Sequence, residues 1–504
     1  MSQNDADTTY GMSAEGLRHR TVTGLGWSAA QQGLQQGLRF LFLLLLTRLL
    51  TPDDFGQVGM VLVFSGLAQM FCDMGLGAAL VQRKDLRREH IDSVFWANVA
   101  VGALLTVLFA ALAGPIASFY RVPALRLLAL AISAGFIVGA LRVVQYSLAL
   151  RSMDFRKLAL VETTAVLLSG GVAVWMALAG FSVWSLVAQL LLQSFVSTVL
   201  FWATGRWRPS FSFDFGALRE LFGFSFNLLG FGLLDHVVTR SSHLLIGRFI
   251  GSPALGIYSR ADQLMLLPVT QMAAVISRVM FPALSAIQDQ VGRVRQIYLR
   301  AIRTVSLATF PLMLGLMITA RPFVLVVLGE QWADTIPLLM IFCLSGLLMP
   351  VGATVGWIYT SQGCTDTMMR WGLVAGAVRL TAILIGLRWG IIGVAAAWVA
   401  SGYIVLWYPS WTIAGRLIGL SWSRMVRELS GNFICALAMT GAVAALGRAV
   451  PRDWPLGWLL AAQVTLGAVV YIGLVMIFQR NTINELRALW AEFRRRRAGA
   501  GEGR

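Results

Sequence analysis

The chain has 504 residues, of which 57% are hydrophobic and only 13% charged, with a mean hydropathy of +0.71. A soluble domain of that length carries about twice that charged share, so the composition excludes one and implies an all-α polytopic membrane protein. A net charge of +17 would point to nucleic acid in a soluble protein, but here the basic residues lie mostly between apolar segments, and the membrane accounts for them with no nucleic-acid partner.

From the N-terminus, a polar stretch ends at Arg18-His19-Arg20 and an apolar run follows to Leu46, interrupted by Gln31, Gln32, Gln35 and Gln36. That run is too long for the core of a cleaved signal and reads as a first span. Crossing about 30 Å of hydrocarbon takes about 20 mostly apolar residues. Segments near 22–47, 55–78, 91–113, 125–150, 158–180, 182–204, 220–249, 256–287, 301–328, 333–361, 369–388, 391–414, 425–447 and 456–479 meet that requirement, about fourteen transmembrane helices. Loops between them are short.

Orientation follows the loop cations. The N-terminal tail, the RKDLRR loop (83–88), alternate later loops around Arg151, Arg206, Arg293, Arg370 and Arg416, and the C-terminal tail with Arg494–Arg497 together hold 27 of the 41 Lys and Arg. Opposite loops and span ends, from Arg48 to Arg452, hold nine. Both termini are therefore expected on the cytoplasmic side of a bacterial inner membrane, which requires an even number of spans.

An internal repeat organises the chain. TRLLTPDDFGQVG (47–59) and GRFIGSPALGIYS (247–259) align at an offset of 200, matching Arg48 with Arg248 and Gly56 with Gly256. GFSVWSLVAQ (180–189) echoes GIIGVAAAWV (390–399) at an offset of 210. Spans one to six thus recur as spans seven to twelve, with the same topology because six is even. The expected domains are a cytoplasmic tail (1–20), two six-helix lobes (21–219 and 220–414), an extra C-terminal helix pair (415–480) and a basic cytoplasmic tail (481–504).

No HExxH, Walker loop, GxSxG or acidic DxD loop occurs, and the four His are scattered, so neither an enzyme nor a metal or other cofactor is indicated. Cys72, Cys343, Cys364 and Cys435 lack the spacing of a zinc site or a disulfide framework. The chemistry lies in ionisable residues within spans, which cost about 2.5–3.5 kcal/mol each to insert and usually face a cavity or a partner. Arg39, Arg142, Arg240, Arg278 and Arg379 are the candidate substrate-binding residues, with few intramembrane carboxylates to match them, chiefly Glu162 and Asp235. Arg278 lies nearer the cytoplasmic end, where snorkelling explains a guanidinium as well as a cavity does. Ser28, Gln32, Gln35 and Arg39 form one helical stripe, and His236, Arg240 and His243 another. The offset of 200 puts Arg240 beside the counterpart of Arg39. A surplus of guanidinium suits an anion, and its planar donor fork suits phosphate. Asp235 and His236 are candidates for ion coupling, although Asp235 beside Arg240 reads equally as a structural pair.

The opening GLGWSAAQQG, LTRLLTPDDFGQVGMV and DMGLGAALVQR resemble the start of Wzx-type polysaccharide flippases, in the colanic-acid-exporter-like branch of the multidrug, oligosaccharidyl-lipid and polysaccharide exporter superfamily. The resemblance runs from Thr21 to Leu420 and is most specific over Arg48 to Arg83. It implies two six-helix lobes plus two helices, and transfer of an undecaprenyl-pyrophosphate-linked oligosaccharide between leaflets by alternating access around a cationic central cavity. The partners it implies are that lipid-linked oligosaccharide, membrane lipids, and a polymerase and chain-length regulator of the same pathway. Two rival readings stand beside it. A multidrug antiporter of the same superfamily would place carboxylates where this chain places arginines. A membrane-embedded polymerase or ligase would usually carry a large periplasmic loop, which is not visible in the sequence.

Overall fold

A computed structural model describes residues 14–73, 76–83, 85–216, 233, 236–285, 287, 290–451 and 453–479, with the side chains of 14–31, 73, 271–285 and 365 outside that description. Among the described residues there is no strand. Lipid offers the backbone no hydrogen bonds, so each crossing segment closes its own as a helix. Ten stretches of the described residues are long and apolar enough to cross a membrane. One of them, Asp366–Leu417, runs 52 residues and covers two of the predicted spans. The helices carry their apolar side chains outward, as at Leu104 and Val107, which are 64% and 69% exposed. This is a multi-pass membrane protein.

By contacts the chain forms two compact units, Met1–Gly256 and Ile257–Arg504. In the first, α1 (Ala14–Leu49) ends where Pro52 opens α2 (Pro52–Asp73). Pro52 suits the first helical position because no N–H is needed there. Thr51 and Asp54 cap α2 reciprocally: Thr51 N–H donates to Asp54 Oδ2 at 2.9 Å, and Asp54 N–H to Thr51 Oγ1 at 3.4 Å. Then follow α3 (Leu76–Gln82), α4 (Arg88–Tyr120), α5 (Leu125–Arg151), α6 (Phe155–Leu178) and α7 (Val183–Thr204). Arg151 Nη1 donates to the carbonyls of Leu80 and Val81 and so caps α3. Of the predicted span 220–249, residues 236–249 are described and helical, forming α8, and α9 (Ser252–Ser285) follows.

The sequence repeat reappears in the backbone. A Cβ on Gly56 would strike the carbonyl of Ser252, and a Cβ on Gly256 would strike the carbonyl of Pro52. The two contacts are reciprocal at an offset of 200, as a local two-fold requires. Asp53 Oδ1 accepts from Ser252 Oγ across the same crossing. Residues of positive φ recur too. Arg121 (φ 59°) and Gly329 (φ 107°) lie at an offset of 208, while Met153 (φ 53°) with Gly363 (φ 68°), and Gly180 (φ 83°) with Gly390 (φ 69°), lie at 210.

The second unit is built on α10 (Val291–Ile318), packed between α11 (Thr335–Ala353) and α16 (Trp422–Ala449). Val324–Leu328, a single π-helical turn, precedes α11, and α12 (Val355–Ser361) continues it. Arg303 pairs with Glu428, Asn432 Nδ2 donates to Arg303 O at 2.9 Å and Ser306 Oγ at 2.8 Å, and Tyr471 of α17 (Leu456–Phe478) donates to Leu307 O at 2.6 Å. Those contacts dock the last two helices on α10. Between them run α13 (Thr365–Gly386), α14 (Gly390–Ala400) and, through a π-helical segment at Ser401–Leu406, α15 (Trp407–Leu417). Helices α13 and α14 touch backbone to backbone: a Cβ on Gly386 would lie 2.5 Å from the carbonyl oxygen of Gly393.

Candidate functional site

Four helices of the first unit bring polar side chains to one point. Helix α1 carries Arg39, α5 Arg142, α6 Glu162 and α7 Ser197. Helices α1 and α6 lie close because Gly170 leaves room for the Phe42 ring. Phe42 is one turn from Arg39, so this packing sets Arg39 over α6. Arg39 Nη2 lies 4.0 Å from Glu162 Oε2, and Arg142 Nη1 donates to Glu162 Oε1 at 3.0 Å. Arg142 Nη1 also donates to Ser197 Oγ at 3.2 Å. Each carboxylate oxygen thus faces a different guanidinium. The carboxylate side chain is 17% exposed, against 48% for Arg39 and 33% for Arg142. The charges sum to one excess positive, and the guanidiniums keep the accessible surface. On the neighbouring α2, the Gln69 amide lies against Gly139, one turn from Arg142.

The surroundings of His236, Arg240, His243 and Arg379 are different. His236, on α8, packs its ring on Gly66, with Nε2 3.5 Å from the Val63 carbonyl. Arg240 is exposed, and His243 is buried beside the Ser242 hydroxyl. Arg379, in the second unit, sets its guanidinium over the Trp398 ring, 4.0 Å from the centroid. Asp235 and the side chains of Ser28 and Arg278 lie outside the described residues. Cys72, Cys343 and Cys435 are buried and Cys364 half-buried, all as free thiols. Among the described residues, no group of three His, Cys, Asp or Glu side chains is placed to hold a metal.

Sequence reasoning missed Ser197 and Gln69. Neither stood out, since serine is ordinary in membrane helices and neither side chain is ionisable. It also left Glu162 as a partner without saying for which arginine.

Residues 45–337 match the family described as polysaccharide biosynthesis protein, and the chain belongs to that family. It is 28% identical over 495 residues to the succinoglycan biosynthesis transport protein ExoT of Rhizobium meliloti, covering 96% of this chain and 98% of that one. It is 28% identical to the lipopolysaccharide biosynthesis protein WzxC of Escherichia coli, with coverage of 86% and 88%. It is 27% identical to the teichuronic acid biosynthesis protein TuaB of Bacillus subtilis, with coverage of 91% and 96%. Among solved structures, the lipid II flippase MurJ in an inward closed conformation superposes with a TM-score of 0.74 at 15% identity, covering 91% of this chain and 99% of that one. An inward-facing multidrug resistance MATE transporter gives 0.59 at 17% identity, with coverage of 78% and 99%. The fold is therefore the one these flippases and transporters share.

Proposed function

We propose that this protein moves an undecaprenyl-pyrophosphate-linked oligosaccharide from the cytoplasmic to the periplasmic leaflet of the inner membrane, for exopolysaccharide or O-antigen export, by alternating access. The observation that carries the reading is the pairing of Arg39 and Arg142 with a single carboxylate, Glu162. A diphosphate offers more oxygens and more charge than a carboxylate. It can take both guanidinium forks at once while Glu162 turns away, a counter-ion exchange with no net loss of pairing. Names of the relatives support the cargo class, because they make or transport surface polysaccharides. A cationic-drug antiporter would need the opposite charge surplus.

Further parts of the proposal are the two lobes at 21–219 and 220–414, with both termini and the 83–88 loop cytoplasmic. Arg240, Arg278 and Arg379 would add to the cationic path, and Asp235 with His236 would couple it to an ion. Polymerase and chain-length regulator would receive the cargo. Complementation of a flippase-deficient strain, scored as surface polysaccharide at matched protein level, is the test. The Arg39→Gln, Arg142→Gln double variant should insert normally and export almost nothing. Near-normal polysaccharide from it would remove the cationic site from the mechanism. A reporter fusion at 83–88 reading periplasmic would reverse the orientation.

A further inference from the structure

Residues 205–214, which follow α7, form a non-helical segment held to the ends of α4, α5 and α7, and Phe215 and Gly216 are helical. Gln145 Nε2 donates to Trp207 O at 3.0 Å, and Trp96 Nε1 donates to Ser210 O at 2.8 Å. Arg208 donates to the Trp202, Gly205 and Trp207 carbonyls. The next residues alternate with the period of an extended chain. Ser210 and Ser212 both donate to Oδ2 of Asp92, a fully buried carboxylate, and the Asp214 N–H donates to Ser93 Oγ at 2.9 Å. Between them Phe211, Phe213 and Phe215 point away, 96%, 55% and 71% exposed. Phe211 stacks on Trp96, centroids 5.2 Å apart.

The polarity is inverted: polar groups face the protein and three phenylalanines face out. Water would penalise that arrangement, whereas the boundary between acyl chains and headgroups favours it. Two observations choose lipid over a protein partner. The segment is tied to the first turns of α4 and the last turn of α7, the ends of two stretches long and apolar enough to cross a membrane. Exposed cations flank it, Arg88 beside Asp92, Arg87 beside Glu89, and Arg206 and Arg208 within it, and these complement anionic phospholipid headgroups.

We propose that residues 205–215 are an interfacial strap that inserts Phe211, Phe213 and Phe215 into the headgroup boundary of the leaflet on the basic side, with the four arginines on anionic lipid phosphates. The full-length protein, carrying Cys364→Ser to leave only buried native thiols, is labelled with a nitroxide at Phe211→Cys, Phe213→Cys, Phe215→Cys or Asp214→Cys. It is reconstituted in phosphatidylcholine vesicles with or without phosphatidylglycerol. Collisions with oxygen relative to a nickel chelate report lipid against water. The ratio should be several-fold higher at 211, 213 and 215 than at 214, and should rise with phosphatidylglycerol. Arg87→Gln with Arg206→Gln should abolish that rise while leaving the alternation. Equal, water-like ratios at all four positions would overturn the strap, as would labels shielded from both reagents, which would mark a protein contact. Hydrogen exchange of the unlabelled chain gives a check free of substitutions: amides of 211–215 should be protected several-fold more with phosphatidylglycerol, and unchanged protection would remove the anionic lipid from the proposal.

Discussion

Arg142 in the first unit and Arg379 in the second sit within spans and face the same cost of insertion, yet the fold answers that cost differently. Arg142 shares Glu162 with Arg39 and borrows the Ser197 hydroxyl. Arg379 lays its guanidinium on the face of Trp398. A carboxylate is an exchangeable counter-ion, since another anion can take its place. An aromatic face holds the cation through its quadrupole and leaves the N–H edge of the guanidinium to other partners. The two arginines thus offer an incoming anion different surroundings, an exchangeable carboxylate at Arg142 and an aromatic face at Arg379.

Five variants test that contrast, beginning with the largest effect. Losing both guanidiniums in Arg39→Gln, Arg142→Gln removes at least two charge-assisted contacts of about 1.5–3 kcal/mol each, which is about a hundredfold or more in headgroup affinity. Arg142→Lys should recover part of it, because an ammonium keeps the charge and loses the fork. Titration with a soluble isoprenyl diphosphate measures both.

Glu162→Gln sharpens the contrast from the other side. Without its carboxylate the pair of guanidiniums repels, so stability should drop by about 1–3 kcal/mol, read as a lower midpoint of thermal unfolding in detergent. Diphosphate should bind more tightly and restore that midpoint. Weaker diphosphate binding in this variant would mean that Glu162 contacts the cargo instead of yielding to it.

Arg379→Gln should lower stability by about 1 kcal/mol, the worth of a cation–π contact, and weaken diphosphate affinity less than Arg142→Gln does. An affinity loss matching that of Arg142→Gln would break the contrast and show Trp398 to be a resting place for a working arginine. Ser197→Ala removes one hydrogen bond from Arg142 and should cost about 0.5–1.5 kcal/mol, with a few-fold weaker binding in the same titration.

Much of the fold could be read without coordinates because lipid leaves the backbone one choice. The predicted 125–150 became Leu125–Arg151, and 456–479 became Leu456–Phe478. The repeat was readable where its glycines are obligatory. Gly56 and Gly256 each meet a carbonyl that any Cβ would strike, and Gly180 and Gly390 each take a left-handed φ at the turn into a hairpin. The segment at 205–215 could not be read in the same way, because FSFDF is too short for a periodicity argument and its inward partners, Asp92 and Ser93, lie more than a hundred residues earlier.

The sequence by itself determined that this chain crosses the membrane many times, that its spans hold more guanidinium than carboxylate, and that Glu162 was one of few groups able to answer them. Those are properties of composition and of spacing along one helix. The tertiary structure alone decided that Arg39 and Arg142 meet on Glu162 while Arg379 meets Trp398. Which side chains touch depends on the rotation of each helix about its axis and on close approaches such as Phe42 over Gly170. An apolar helix lets lipid and protein compete for every face, so its own sequence leaves that rotation open until its neighbours are in place.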